Sequence, residues 1–191
     1  MKHIFFGLGA IGSNLLMQMI HLDKDGEFYG IDYDIVEERN IATQAYLTHH
    51  IGMEKANALM TMIACKKSKF NYTPIVENIN KLKDWFYVQR SYDTILYDCL
   101  DNTESRKLLE GLNNCLHIGF SPKYVAEIIW GEKYSAPNDI DPAENDICEM
   151  ANAVPFIHYV VSIASFVVIK YLLGDVKESY IIQRLGKMVK I

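Results

Sequence analysis

Gly7, Gly9 and Gly12 fall in the order G-x-G-x-x-G within "FFGLGAIG". Glycines at this spacing allow a tight turn and let a phosphate approach backbone amides at the positive end of the following helix. Asp32 stands 20 residues past Gly12, at the end of "FYGID". A carboxylate there can accept hydrogen bonds from ribose hydroxyls. Set between a strand and a helix, these four residues predict a nucleotide site rather than a purely structural glycine turn.

A second group of candidates lies further along. "GIDYDIVEERNIATQ" (30–44) leaves an apolar strand through Asp32 and Asp34 into a polar segment where Asn40 and Gln44 stand among charges. Lys55 follows in "IGMEKA", and Asp101, Asn102 and Arg106 in "YDCLDNTESR". Taken singly, each has a plainer explanation: Asp101 beside Asn102 caps a helix, and Lys55 is a solvated helical lysine. The cysteines, Cys65, Cys99, Cys115 and Cys148, are widely spaced and form no C-x-x-C pair for zinc or a redox couple. They predict reduced thiols and a cytoplasmic protein. Cys148, next to an acidic loop, is a candidate nucleophile, although a free cysteine is more often a small buried residue.

The elements that must hold these groups follow from periodicity. "HIFF" is a short apolar run of the kind found in buried parallel strands, and "IGSNLLMQMIHL" carries apolar residues at helical spacing. A turn at "DKDGE" and a second strand, "FYGID", complete one strand, helix, strand unit. A helix is predicted over 52–67 with its Met and Leu residues packed into the core. A strand follows over 71–79, another over 93–101, and a helix over 103–114 capped by Asn102 or Thr103. "CLHIGF" and "YVAEIIWG" are strands, the latter antiparallel at one side of the sheet. Residues 131–150 predict a crossover loop or lid, and 152–174 a long apolar helix. The last dozen residues predict a hairpin near Gly186. The fold class is therefore α/β: a doubly wound, Rossmann-like, mostly parallel sheet with an antiparallel edge, in a single domain over 1–191.

Bulk properties fit that class. The chain has 191 residues, is 50% hydrophobic and carries a formal net charge of -5, so no nucleic-acid partner is expected. "MKHIFFGLG" is too short an apolar run for a secretory signal, and no targeting segment is expected. "AVPFIHYVVSIASFVVIKYLLG" (153–174) is long enough to cross a bilayer. Because His158, Lys170, Ser162 and Ser165 interrupt it, a hidden helix of a core or dimer interface is expected, and no membrane.

The glycine turn and Asp32 alone serve NAD and ATP equally. Four blocks together resemble the ATP-binding signature of the ThiF, MoeB and ubiquitin-activating (E1-like) superfamily, over about residues 3–120. Its pattern runs G-x-G-x-x-G-S, D-x-D-x-V-x-x-x-N-x-x-R-Q, G-x-x-K-A and D-x-x-D-N-x-x-x-R. Here Ser13, Asp32, Asp34, Val36, Asn40, Gln44, Gly52, Lys55, Ala56, Asp98, Asp101, Asn102 and Arg106 fall in place. The resemblance implies Mg-ATP-dependent adenylation of the C-terminal carboxylate of a small β-grasp protein, of the ubiquitin-like or sulfur-carrier kind, or of a peptide. It implies Asp101 on Mg²⁺, Lys55 on the phosphates, Asp32 on the ribose, and Asn40 and Gln44 shaping the phosphate pocket. It also implies a homodimer, or a heterodimer with an E1-like subunit.

Two departures stand out. Thr43 replaces an arginine of the second block, with Arg39 as the nearby candidate for the lost cation, and the sequence opens at the strand that an arginine-bearing helix precedes in the family. Two other functions are compatible with the residues. One is a catalytically silent E1-like partner subunit, and the other an NAD-binding dehydrogenase or regulatory domain, which leaves Asn40, Gln44 and Lys55 unexplained.

Overall fold

The computed structural model describes residues 1–66, 71–85, 93–121, 125–136, 153–183 and 188–190. Among these, the elements run β1 (Lys2–Phe6), α1 (Ala10–Leu22), β2 (Glu27–Ile31), α2 (Lys55–Lys66), β3 (Asn71–Ile75), β4 (Thr94–Asp98), α3 (Thr103–Lys107), β5 (Cys115–Ser121), β6 (Val125–Trp130), α4 (Val154–Gly174), β7 (Tyr180–Ile182) and β8 (Met188–Lys190). The strands form one sheet in the order β3-β2-β1-β4-β5-β6-β7-β8. The first five are parallel, and β6, β7 and β8 are antiparallel. Helices cover both faces, as a doubly wound sheet requires.

Alternation along the strands sorts the two cores. Phe5, Phe28, Ile95, Tyr97 and Leu116 face α1, α2 and α4, whereas Ile4, Phe6, Ile31, Leu96 and Cys115 face the side of α3, with Ile79 and Leu109. Helix α1 packs along α4, and Ser165 Oγ donates to Gln18 Oε1 at 2.7 Å between them. Pro155 at the start of α4 and Asp175 in the left-handed region after it fix the helix ends.

Several predicted elements change in extent. The strand expected over 71–79 stops at Ile75, because Asn78 caps a short 3-10 turn at Ile79–Lys81 and its side chain accepts from the Asn80 amide. The helix expected over 103–114 ends at Lys107: Leu108 and Leu109 bond back to Ser105 and Arg106, and Gly111 at φ 75° reverses the chain into β5. Strand β6 is antiparallel at one side of the sheet, as expected, and β7 and β8 pair in turn beyond it.

The methionine stripe of α2 is only partly core. Ala56, Leu59 and Ile63 make the inner face at helical spacing, which turns Met60 outward. Helix α4 has the length and hydropathy to cross a membrane, yet is buried on one face only. Val160, Val161, Ala164, Val167 and Val168 are inside, while Phe166 and Leu173 are 62% and 85% exposed.

Candidate nucleotide-binding site

Strands β1 and β4 lie side by side, but the chain leaves them toward opposite edges of the sheet. That reversal opens a crevice at their carboxyl ends, the place where such sheets bind ligands. The three glycines line it in different ways. Gly7 sits at φ 82°, and a Cβ on it would come 2.7 Å from the Cys99 carbonyl oxygen, so only glycine lets the two strand exits touch. A Cβ on Gly12 would lie 1.9 Å from the Gly7 carbonyl oxygen, which makes Gly12 the packing glycine. A Cβ on Gly9 would meet nothing within 4 Å. Gly9 also precedes α1 without a side-chain cap, so the first-turn amides receive no capping hydrogen bond from it.

Side chains brought from elsewhere hold this loop. Asp32, at the end of β2, accepts from the Leu8 amide at 2.7 Å through Oδ2 and from the Asp34 amide at 2.8 Å through Oδ1. Burial raises its pKa, while the Lys55 charge and these two amides oppose the rise. The Tyr46 hydroxyl donates to the Leu8 carbonyl at 2.8 Å. Ser13 is fully buried: its hydroxyl donates to the Gly9 carbonyl at 2.7 Å and accepts from the Ala45 amide at 3.0 Å. The Asn14 amide reaches the Thr43 carbonyl at 3.0 Å. The glycine loop and the 40–46 segment are thereby one unit.

Asn40 is buried, and its side-chain oxygen accepts from the Glu37 amide at 2.9 Å, fixing a 3-10 turn from Glu38 to Asn40. Its carbonyl accepts from the Gln44 amide at 2.9 Å. Gln44 Oε1 is buried without a hydrogen-bond partner among the described residues. An orphaned amide here fits a pocket that a polar ligand completes. Thr43 is buried, and Arg39, on the same turn, is exposed and paired with Glu37.

Lys55 reaches this place through a short ladder. The Val36 amide bonds to the Met53 carbonyl at 2.8 Å, the Gly52 amide to the Val36 carbonyl at 2.9 Å, and the Lys55 amide to the Asp34 carbonyl at 2.9 Å. The ladder lays the Lys55 side chain, 9% exposed, against Asp34, with Nζ 3.1 Å from Oδ2. The Tyr33 phenol pKa is raised by the charge of Asp34 first, then by burial, Asp101 and Asp32, with Lys55 opposing. Asp34 and Asp101, at the exits of β2 and β4, therefore act on the same phenol, and Lys55 is buried beside Asp34.

Beyond β4 the side chains divide. Asp101 is exposed and accepts from the Asn102 amide nitrogen at 3.3 Å. Asn102 caps α3, its oxygen accepting from the Ser105 amide at 2.9 Å. Arg106 turns inward, where Nε donates to the fully buried Asp98 at 3.1 Å. Cys148 lies outside the described residues, as does most of the 131–150 segment. Among the described residues, no group of three or more His, Cys, Asp or Glu side chains is arranged to hold a metal ion by itself. Asp101, an exposed carboxylate, has the oxygen-donor chemistry that would suit Mg²⁺.

Sequence reasoning missed Tyr46, Asn14 and His117, which shape this site through contacts distant in sequence. For Tyr46 the available signal was its place two residues past Gln44, in the same loop.

The model of the ThiF family matches residues 1–121. No curated protein sequence matches the chain. Among solved structures, that of PaaA shares 19% identity with a TM-score of 0.70, over 100% of this chain and 63% of PaaA. E. coli MccB solved with ATP gives 17% identity and a TM-score of 0.72, over 100% of this chain and 63% of MccB. The same enzyme with AMPCPP and MccA gives 16% and 0.71, again over 100% and 63%. At these identities the likeness shows the fold. The chain spans less than two thirds of the length of these structures.

Proposed function

The chain belongs to the ThiF family, and on that footing we propose that it binds Mg-ATP and adenylates the C-terminal carboxylate of a small β-grasp protein or peptide. The observation that carries this reading is the convergence on one crevice of the open N-terminus of α1 at Gly9, the buried Lys55 and the carboxylates Asp32, Asp34 and Asp101. MccB, a relative in fold, was solved both with ATP and with MccA, which favours a nucleotide and an acceptor meeting on such a scaffold.

The chemistry suits these groups. The acceptor carboxylate is already an ionised nucleophile, so no general base is required. Its oxygen forms the new bond to the α-phosphorus while the bond to the bridging oxygen breaks, and the electron pair leaves with pyrophosphate. Anion attacks anion, so the site must supply positive charge. The first-turn amides of α1 and the Lys55 ammonium provide it from this chain, and Asp32 orients the ribose. Asp101 would hold Mg²⁺, which would supply further positive charge there.

A silent E1-like partner subunit is the second reading. It is favoured by Thr43, buried where the family has arginine, and by Arg39, which is engaged with Glu37. Under either reading we place the protein in the cytoplasm as a homodimer or a heterodimer with an E1-like subunit, with α4 covered at the interface.

Exchange of labelled pyrophosphate into ATP, with candidate acceptor peptides present, tests the proposal. Wild-type exchange should fall about 10²–10³-fold in Lys55→Ala. Absence of exchange alongside ATP binding selects the silent subunit, and Arg39→Ala decides whether Arg39 supplies the missing cation. Mg-ATP at a hundredfold excess over Kd should stabilise the fold by about 2.7 kcal/mol. Stabilisation by NAD and none by ATP would overturn the reading.

A further inference from the structure

Beneath the loop that carries Asp101 lies a buried polar cluster of Asp98, Arg106, His117 and Tyr134. Asp98 Oδ2 receives two donors, Arg106 Nε at 3.1 Å and His117 Nδ1 at 2.7 Å. Its other oxygen, Oδ1, accepts from the Leu100 amide at 3.1 Å. Leu100 immediately precedes Asp101, so this bond ties the peptide leading into Asp101 to the end of β4. The Tyr134 ring stacks on His117 with centroids 3.6 Å apart, and the Arg106 guanidinium lies 5.2 Å from the same ring centroid.

The tautomer follows from geometry. Facing a carboxylate oxygen, His117 Nδ1 carries the proton, which leaves Nε2 as a bare acceptor; Nε2 is buried without a hydrogen-bond partner among the described residues. One glycine makes room for the arrangement. A Cβ on Gly119 would come 2.5 Å from Arg106 Nη1, so a side chain there on β5 would force the end of the guanidinium to shift. A cluster that served only to fill the core would need none of these polar groups. Apolar side chains of similar volume often fill such a space at no loss of stability.

We propose that Arg106 and His117 are positioning residues, which clamp Asp98 Oδ2 so that Oδ1 holds the Leu100 amide and thereby presents Asp101 to the metal of a bound Mg-nucleotide. This rests on the nucleotide reading above and assigns Arg106 to the support of the metal ligand. Partners that orient a metal ligand are worth 10–100-fold in metal affinity when removed.

Removing Arg106 strands the Asp98 charge and threatens folding, so His117→Gln and Gly119→Ala are the variants of choice. Gly119→Ala replaces no member of the cluster and displaces the end of the Arg106 guanidinium. The probes are Mn²⁺, followed by its paramagnetic resonance in the presence of ATP, and ATP without metal, followed by titration calorimetry, with thermal melts to confirm folding. Both variants should bind Mn²⁺ about tenfold more weakly while metal-free ATP affinity stays within twofold of wild type. Unchanged Mn²⁺ affinity in the folded variants overturns the proposal, as does an equal loss of ATP and Mn²⁺ affinity. A wild-type protein that binds ATP but no Mn²⁺ overturns it while leaving the nucleotide site standing. A wild-type protein that binds neither overturns both.

Discussion

The Leu8 amide donates a 2.7 Å hydrogen bond to Asp32 Oδ2, although the two residues belong to different strand exits. Asp32 is thus the post on which the glycine loop hangs, before any ribose hydroxyl reaches it. Its second oxygen is engaged by the Asp34 amide. In Asp32→Asn, one of these amides faces an amide nitrogen instead of an acceptor. We expect a loss of about 1–3 kcal/mol in urea unfolding at neutral pH, the cost of a buried donor left unpaired. ATP affinity should fall with it, and an unchanged midpoint would deny Asp32 its role in the loop.

The two glycines flanking the start of α1 should respond oppositely. Gly9 has φ -73° and ample space, so Gly9→Ala should keep stability within about 0.5 kcal/mol. Its methyl enters the space assigned to phosphate, and ATP affinity should drop about tenfold, equivalent to about 1.4 kcal/mol. Gly12→Ala drives a methyl into the Gly7 carbonyl and should cost about 3 kcal/mol or more. Calorimetric melting beside nucleotide titration separates them. Equal behaviour would contradict the division of labour between the glycines.

Acid should destabilise the fold in a defined window. Burial holds the pKa values of His3, His50 and His117 below the ordinary value of 6.5. His3 lies 2.9 Å from Asp23 through Nε2 and 2.8 Å from the Tyr97 hydroxyl through Nδ1, and His50 Nδ1 accepts from the Leu47 amide at 3.0 Å. The unfolded chain binds more protons than the native one once pH falls through 6.5. The stability these histidines contribute is therefore fully present above that pH and is lost below it, by up to about 1.4 kcal/mol per pH unit for each. Melting temperatures measured from pH 8 to 5 should be level above about 7 and decline below 6.5. A flat profile down to pH 5 would refute this.

The outward face of α4 should govern assembly. Phe166 and Leu173 are exposed on a helix whose other face is packed on α1. Phe166→Asp removes no core contact, so stability of the monomer should change by less than about 0.5 kcal/mol. Sedimentation should show wild-type self-association, or association with an E1-like subunit, weakened in this variant. Identical sedimentation of the two proteins would remove α4 from the interface.

Much of the architecture was legible in the sequence. Gly7, Gly9 and Gly12, the apolar runs that became β1, β2 and β4, and the helical spacing of α1 and α4 are local signals. Backbone sterics and a repeat of 2 or 3.6 residues act on neighbours along the chain, so they survive without knowledge of the fold. Extents were less legible, as at Ile75 and Lys107, because a capping asparagine and a left-handed glycine stop an element regardless of its apolar pattern.

The sequence by itself determined the candidate residues for a nucleotide site and the order of the blocks that carry them. Only the tertiary structure decided which of them are buried, paired or open. Parallel pairing of β4 and β5 sets Asp98 beside His117, and this, with α3 folding back beneath them, turns Arg106 inward while Asp101, three residues past Asp98, stays open. Likewise Tyr46 meets Leu8 and Ser13 meets Ala45 because the 40–46 segment folds back over α1. These contacts join residues far apart in sequence. Their partners are chosen by strand order and burial, which no local spacing records.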